Sequence, residues 1–133
     1  MSFQTLTLEI DNHVATITLN RPEMMNAFSE QLIWEMGEAT KTVKDDSQIR
    51  VLVITGEGRG FTAGADLSER DASWSDTKDA LERGYYPFLK NIIDMPKPVI
   101  GSINGAAAGI GAAVAMACDL RIMAKEAYIM SVF

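Results

Sequence analysis

Residues Lys97 to Asp119 read Lys-Pro-Val-Ile-Gly-Ser-Ile-Asn-Gly-Ala-Ala-Ala-Gly-Ile-Gly-Ala-Ala-Val-Ala-Met-Ala-Cys-Asp. No other stretch restricts the fold as strongly. Proline suits the first residue of a strand, where a missing N–H does least harm. Val99 to Ile103 is β-branched and predicts a mostly buried strand, and Asn104-Gly105 ends it with turn chemistry. A small-residue loop follows, and Ala112 to Met116 reads as a helix packed very closely against a neighbour. Strand, small-residue loop and helix N-terminus together leave free amides pointing outward with partial positive charge. Small side chains let a ligand reach them. Such a place holds an anion, or an oxygen that becomes one.

The rest of the chain is consistent with that arrangement. Thr5 to Ile10 and Val14 to Asn20 alternate around Asp11-Asn12-His13, which predicts a β-hairpin. Ser29 is placed to cap a helix running to about Asp45, with Leu32, Ile33, Met36, Ala39 and Val43 on one face. Val51 to Thr55 is an apolar run of buried-strand type. Gly56 to Leu67 then holds four glycines, again directly after a strand. Ser68 to Ser75 is polar and is expected to be mobile. A second helix is predicted over Thr77 to Asp94, with Leu81, Tyr85, Phe88, Leu89 and Ile92 on one side. Leu120 to Ala124 and Tyr128 to Phe133 read as strands. The alternation predicts a layered α/β fold, with both glycine-rich loops on the side where such folds take ligands. The apolar last residues are expected to mark a sheet cut in the middle.

Composition removes several function classes. The 133 residues suffice for one domain with a core. A net charge of −6 argues against a broad nucleic-acid or anionic-lipid surface. There is no run long enough to span a membrane and no signal-peptide pattern, so a cytoplasmic location is expected. Metal-ligand spacing is absent. His13 is the only histidine and is read as an exposed turn residue, which leaves no Ser-His-Asp relay. Cys118, the only cysteine, is read as a small buried hydrophobe. Gly109-Ile110-Gly111-Ala112-Ala113-Val114 imitates a dinucleotide fingerprint, but Val114 stands where its last small residue belongs. A dinucleotide-binding domain therefore stays only as an alternative.

Three spaced motifs carry more information. Asn20-Arg21-Pro22 with Asn26-Ala27, then Phe61-Thr62-Ala63-Gly64-Ala65-Asp66-Leu67, then Lys97-Pro98-Val99-Ile100 through Gly109-Ile110-Gly111 to Cys118-Asp119, resemble the crotonase family, the enoyl-CoA hydratases and isomerases. The resemblance implies a crotonase-like α/β fold of repeated ββα units, of which residues 1–133 form the N-terminal part, truncated at the C-terminus. It implies a coenzyme A thioester as substrate with no covalently bound cofactor, and assembly as a homotrimer or dimer of trimers. By position, the amides of Ala65 and Ile110 are the two donors to the thioester oxygen. Met24, Met25, Ala27, Ala63, Gly64, Asp66, Leu67 and Gly109 are the accompanying substrate and coenzyme A positions, with Asp66 expected mainly to order its loop. Arg21 and Arg59 are the expected local cations. Hydratases of the family carry glutamates where this chain has Ala113 and Phe133. The local sequence most resembles isomerases of phenylacetate catabolism, whose base lies slightly further along. An acyl-CoA-binding but inactive fragment is the alternative reading.

Overall fold

The computed structural model describes residues 2–132. The hairpin forms as expected, from β1 (Leu6–Asp11) and β2 (Val14–Leu19). Asn12 and His13 both adopt positive φ, the geometry that matches a two-residue turn to strand twist. A short 3-10 turn (Pro22–Met24) leads to α1 (Glu30–Asp45). The Ser29 hydroxyl caps α1 by accepting the Leu32 amide at 3.2 Å. Next come β3 (Val51–Gly56), α2 (Thr77–Asp79), a π-helical stretch (Ala80–Tyr85) and α3 (Tyr86–Ile93). The chain continues through β4 (Val99–Ile103), β5 (Ala106–Ala108), α4 (Ile110–Ala117), β6 (Leu120–Met123) and β7 (Tyr128–Met130).

The main sheet runs β1-β2-β3-β4-β6; β1 is antiparallel to β2 and every other pair is parallel. A second small sheet pairs β5 with β7 in parallel. Thr62 bridges to Ala107 in the same sense, so the loop after β3 reaches the second sheet as a single paired residue. Each pass of the chain therefore places one strand in the main sheet and one segment in the second layer before a helix returns it. That is the repeated ββα unit.

One hydrophobic core joins these elements. Ile17, Leu19, Leu52, Ile54 and Val99 of the sheet meet Leu32, Ile33, Met36 and Val43 of α1 and Phe88 and Ile92 of α3. β3 is fully buried only on the Leu52 and Ile54 side, while Val51 and Val53 are half-buried.

Three expectations are corrected. Ala106 to Ala108 is not loop but strand β5, since its amides and carbonyls pair with Thr62 and with β7. Helix α4 starts two residues earlier than Ala112, at Ile110. Leu81 does not join the buried side of its helix and is exposed. The cause is the π stretch before Pro87, where the Tyr86 amide reaches back to the Leu81 carbonyl. Proline donates no hydrogen bond and its ring crowds the carbonyl four residues back. A widened turn absorbs that conflict and rotates the residues ahead of it around the axis.

The Ser29 cap gives a direct check on this architecture. Ser29→Ala should lower stability by about 1 kcal/mol with the fold unchanged, read as a lower urea midpoint at constant slope.

Candidate functional site

The segment from Thr62 to Asp66 is held from both sides by main-chain hydrogen bonds. The Thr62 amide donates to the Ala106 carbonyl at 3.1 Å, and the Ala108 amide donates to the Thr62 carbonyl at 3.1 Å. From the other side, Ala63 N donates to Met25 O at 2.9 Å, Phe28 N to Gly64 O at 2.6 Å and Asp66 N to Phe28 O at 3.0 Å. In parallel pairing, the residues flanking Ala65 make both bonds to Phe28. The Ala65 N–H is therefore turned away from Phe28, and no acceptor meets it among the described residues.

Ile110 reaches the same place from the second loop. It is the first residue of α4, where an amide has no acceptor within the helix, and none outside it among the described residues. Gly109 before it takes φ 58° and ψ −124°, a conformation open essentially to glycine alone. Gly64 has φ 100°, and a Cβ there would lie 2.8 Å from the Ala108 carbonyl oxygen and 3.6 Å from the Ile110 nitrogen. The loops approach this closely because Gly64 carries no side chain, while Gly109 is needed for its dihedral angles.

Ala63, Gly64, Ala65, Leu67, Gly109 and Ile110 all border one cavity of about 360 Å³. Its remaining wall is Thr77, Leu81, Tyr85, Ala108 and Val132, so among the described residues Tyr85 is the only ionisable group lining it. A mostly apolar chamber bordered by two unpaired amides can hold an oxygen that gains negative charge.

Other predicted residues lie elsewhere. Met24, Met25 and Ala27 do not line this cavity. Met25 instead supplies the carbonyl that holds Ala63, and Ala27 is buried. Asp66 does not line this cavity and accepts from Ser68 N at 3.0 Å, Ser68 Oγ at 2.6 Å and Arg21 Nη2 at 3.0 Å. These hydrogen bonds, led by the Ser68 hydroxyl, hold its carboxyl below the usual carboxylate range. Arg21 also donates to the Ala27 carbonyl, so it is a structural clasp and not a free cation. Arg59 is exposed, 3.6 Å from the Met25 sulfur. His13 is exposed at the hairpin, its Nδ1 2.7 Å from the Gln48 carbonyl oxygen. Cys118 is buried, and burial pushes its thiol up to about 11, so it is no nucleophile. Ala113 is half-buried on α4, and Phe133 lies outside the described residues.

Sequence reasoning missed two structural contributors. Asn26 is fully buried at φ 56°; its Oδ1 accepts from Arg21 N at 2.8 Å and its Nδ2 donates to Glu57 O at 2.9 Å and Gly60 O at 3.0 Å. Asn104 similarly accepts from Gly56 N and donates to Gly58 O and Gly60 O. Both asparagines brace the first glycine-rich loop from outside. The Asn104-Gly105 turn and the place of Asn26 in the first motif were visible in the sequence, but not the distant carbonyls these side chains reach.

The family model for enoyl-CoA hydratase/isomerase matches residues 9–133. The chain belongs to the enoyl-CoA hydratase/isomerase family. It is 40% identical to the 1,2-epoxyphenylacetyl-CoA isomerase of Escherichia coli over 93% of this chain and 49% of that protein. It is 48% identical to a probable enoyl-CoA hydratase of Mycobacterium leprae over 86% of this chain and 46% of the relative. Among solved structures, an enoyl-CoA hydratase/carnithine racemase from Magnetospirillum magneticum superposes with a TM-score of 0.85 at 32% identity, over 95% of this chain and 48% of that one. The chain thus spans about half the length of the relatives it matches. The fold is the crotonase fold of these enzymes. The sheet order, with its antiparallel leading hairpin, is not the doubly wound order of a dinucleotide-binding domain. Among the described residues no helix is long and apolar enough to cross a membrane.

The Arg21–Asp66 clasp yields a pH prediction. A carboxylate whose folded pKa is depressed stabilises the fold above its unfolded value, and that contribution disappears as pH falls through the folded pKa. Asp66→Asn should cost about 2 kcal/mol at pH 7. The gap from the native chain should shrink as pH falls below about 4; paired urea titrations at pH 7 and pH 3 measure it.

Proposed function

We propose that the chain receives the acyl part of a coenzyme A thioester against the amides of Ala65 and Ile110, and that these two donors stabilise the enolate formed there. The observation that carries this reading is the pair of unpaired main-chain amides bordering one apolar cavity. Removing a proton beside a thioester, or adding a nucleophile to its conjugated double bond, places negative charge on the carbonyl oxygen. Preorganised donors aimed at that oxygen are worth about 3–4 kcal/mol each. The Ile110 amide gains further from the dipole of α4. Membership of the enoyl-CoA hydratase/isomerase family supports the thioester as substrate, and no covalently bound cofactor is required by this chemistry.

Between the two activities we favour isomerase. The 40% identity to an isomerase supports it, as does Ala113 standing where family hydratases carry a glutamate. Probable hydratases at similar identity leave hydration as the alternative. We further propose that residues 1–133 act as the N-terminal part of a longer crotonase-like domain. The half-length match supports this. So does a run of exposed apolar side chains on β6 and β7, among them Leu120, Ile122, Tyr128 and Met130. Cytoplasmic location and assembly as a homotrimer or dimer of trimers belong to the same proposal.

On this reading the 133 residues bind but do not turn over. Among the described residues Tyr85 is the only ionisable group at the cavity, and a general base contributes about 10²- to 10⁴-fold. The longer form should shift the double bond of an enoyl-CoA, whereas the 133-residue chain should not; turnover by the short chain alone would overturn its assigned incompetence.

Ile110→Pro tests the amide itself. Proline is tolerated at the first helical position, so the helix should persist while the N–H is lost. In the longer form kcat should fall about 10²- to 10³-fold, with Ile110→Ala as the side-chain control. Equal activity in both variants would remove Ile110 from the mechanism.

A further inference from the structure

The π-helical stretch leaves one buried polar group without a role. Tyr85 is 8% exposed. Its ring is fixed between Phe28, edge-on at 5.9 Å, and Phe88 at 6.1 Å, while Phe28 and Phe88 stack at 5.4 Å. A ring packed on two sides does not swing aside. Its hydroxyl has no hydrogen-bond partner among the described residues, yet no fully buried side-chain oxygen or nitrogen there goes unpaired. The phenol oxygen therefore keeps access to open space.

That open space consists of two chambers. Tyr85 borders the 360 Å³ cavity at the Ala65 and Ile110 amides. It also borders a second cavity of about 230 Å³, walled by Phe28, Ile33 and Trp74 and by the carboxylate residues Asp66 and Glu69. Ala65 and Thr77 are the other residues common to both walls. The two nearby carboxylates are occupied elsewhere. Asp66 is held by Arg21 and Ser68, and Glu69 accepts the Glu30 amide at 2.9 Å. Burial, reinforced by Glu69 and Asp66, pushes the phenol up to about 12, so it stays protonated. The result is a rigid, neutral donor where the mostly apolar cavity meets a second, more polar one, beside one of the two amides.

We infer that Tyr85 is a specificity-determining residue: its hydroxyl donates a hydrogen bond to an oxygen carried on the acyl chain, so the site favours oxygenated acyl groups over plain hydrocarbon ones. This rests on the thioester reading above. A hydrocarbon acyl group that displaces water from the phenol leaves the donor unpaired, which is costly. An acyl group with a hydroxyl, ether or carbonyl oxygen replaces that water bond. The enforced loss on one side and the gain on the other are what make hydrogen-bonding sites discriminate.

The test is calorimetric titration of the full-length protein with hexanoyl-CoA, 3-hydroxyhexanoyl-CoA and 5-hydroxyhexanoyl-CoA, for the native protein and Tyr85→Phe. Phenylalanine keeps the ring that Phe28 and Phe88 hold, so packing is preserved. In the native protein at least one hydroxylated ligand should bind about tenfold more tightly than hexanoyl-CoA. In Tyr85→Phe that advantage should vanish while hexanoyl-CoA affinity is unchanged or improved. A native protein without the preference, or a preference that survives Tyr85→Phe, overturns the inference and leaves thioester binding intact. Failure of all three ligands to bind the native protein overturns both.

Discussion

The site depends on a five-residue segment, Thr62 to Asp66, that has no regular structure of its own. Main-chain hydrogen bonds join it to Met25 and Phe28 on one side and to Ala106 and Ala108 on the other. Such bonds contribute modestly one by one, but a buried amide or carbonyl left without its partner is costly. The arrangement is therefore stable only with all members present. It also sets direction. Because Gly64 and Asp66 spend their polar groups on Phe28, the Ala65 amide between them has to face the other way. Thr62 adds a side-chain lock by accepting the Gly64 amide at 3.2 Å.

Close approach is the second requirement, and it explains the glycines. A Cβ on Gly111 would come within 2.4 Å of the Thr62 carbonyl oxygen, and one on Gly105 within 2.0 Å of the Arg59 carbonyl oxygen. Neither obstacle is a flexible side chain, so neither can yield cheaply. These two glycines serve packing, while Gly64 and Gly109 combine closeness with positive φ. The strap from Ser68 to Ser75 shows a weaker form of the same stitching. It was expected to be mobile, yet Ser73 bonds to Glu30, and Trp74 packs 5.1 Å from Trp34 with Arg83 5.0 Å over its ring. Aromatic and cation–π contacts of this kind form between distant residues and leave no periodic signal.

Much of the fold was legible because it follows from local chemistry. The hairpin, the Ser29 cap, the α1 face and strands β3, β4 and β6 all have short-range signatures of alternation, capping or helical spacing. What was not legible depends on partners far along the chain. Ala106 to Ala108 has the composition of a loop or a helix and becomes a strand only because Thr62 and β7 lie beside it. The Leu81 face failed because periodicity assumes a uniform helix, and the turn before Pro87 is wider. Arg21 looked like a free cation for a phosphate. Asp66, 45 positions away, had already claimed it.

The candidate amides illustrate why a site of this kind can be found in a sequence but not read from its own residues. Ala65 and Ile110 carry no functional group, and an amide donor is indifferent to the side chain attached to its Cα. What must be kept is the geometry around them: Phe28 as bridge partner, Gly64 and Gly109 for their dihedral angles, Gly111 for clearance, and Thr62 as the shared hub. The requirements of the proposed chemistry thus fall less on the side chains of the two donors than on the residues that shape the backbone around them. The clue was two small-residue loops, each placed after a strand. Tyr85 is the opposite case. Its function would reside wholly in a side-chain oxygen, yet helical spacing marked it only as one more member of an apolar face. The sequence shows that the ring is buried. Only the packed structure shows that its hydroxyl has no partner among the described residues.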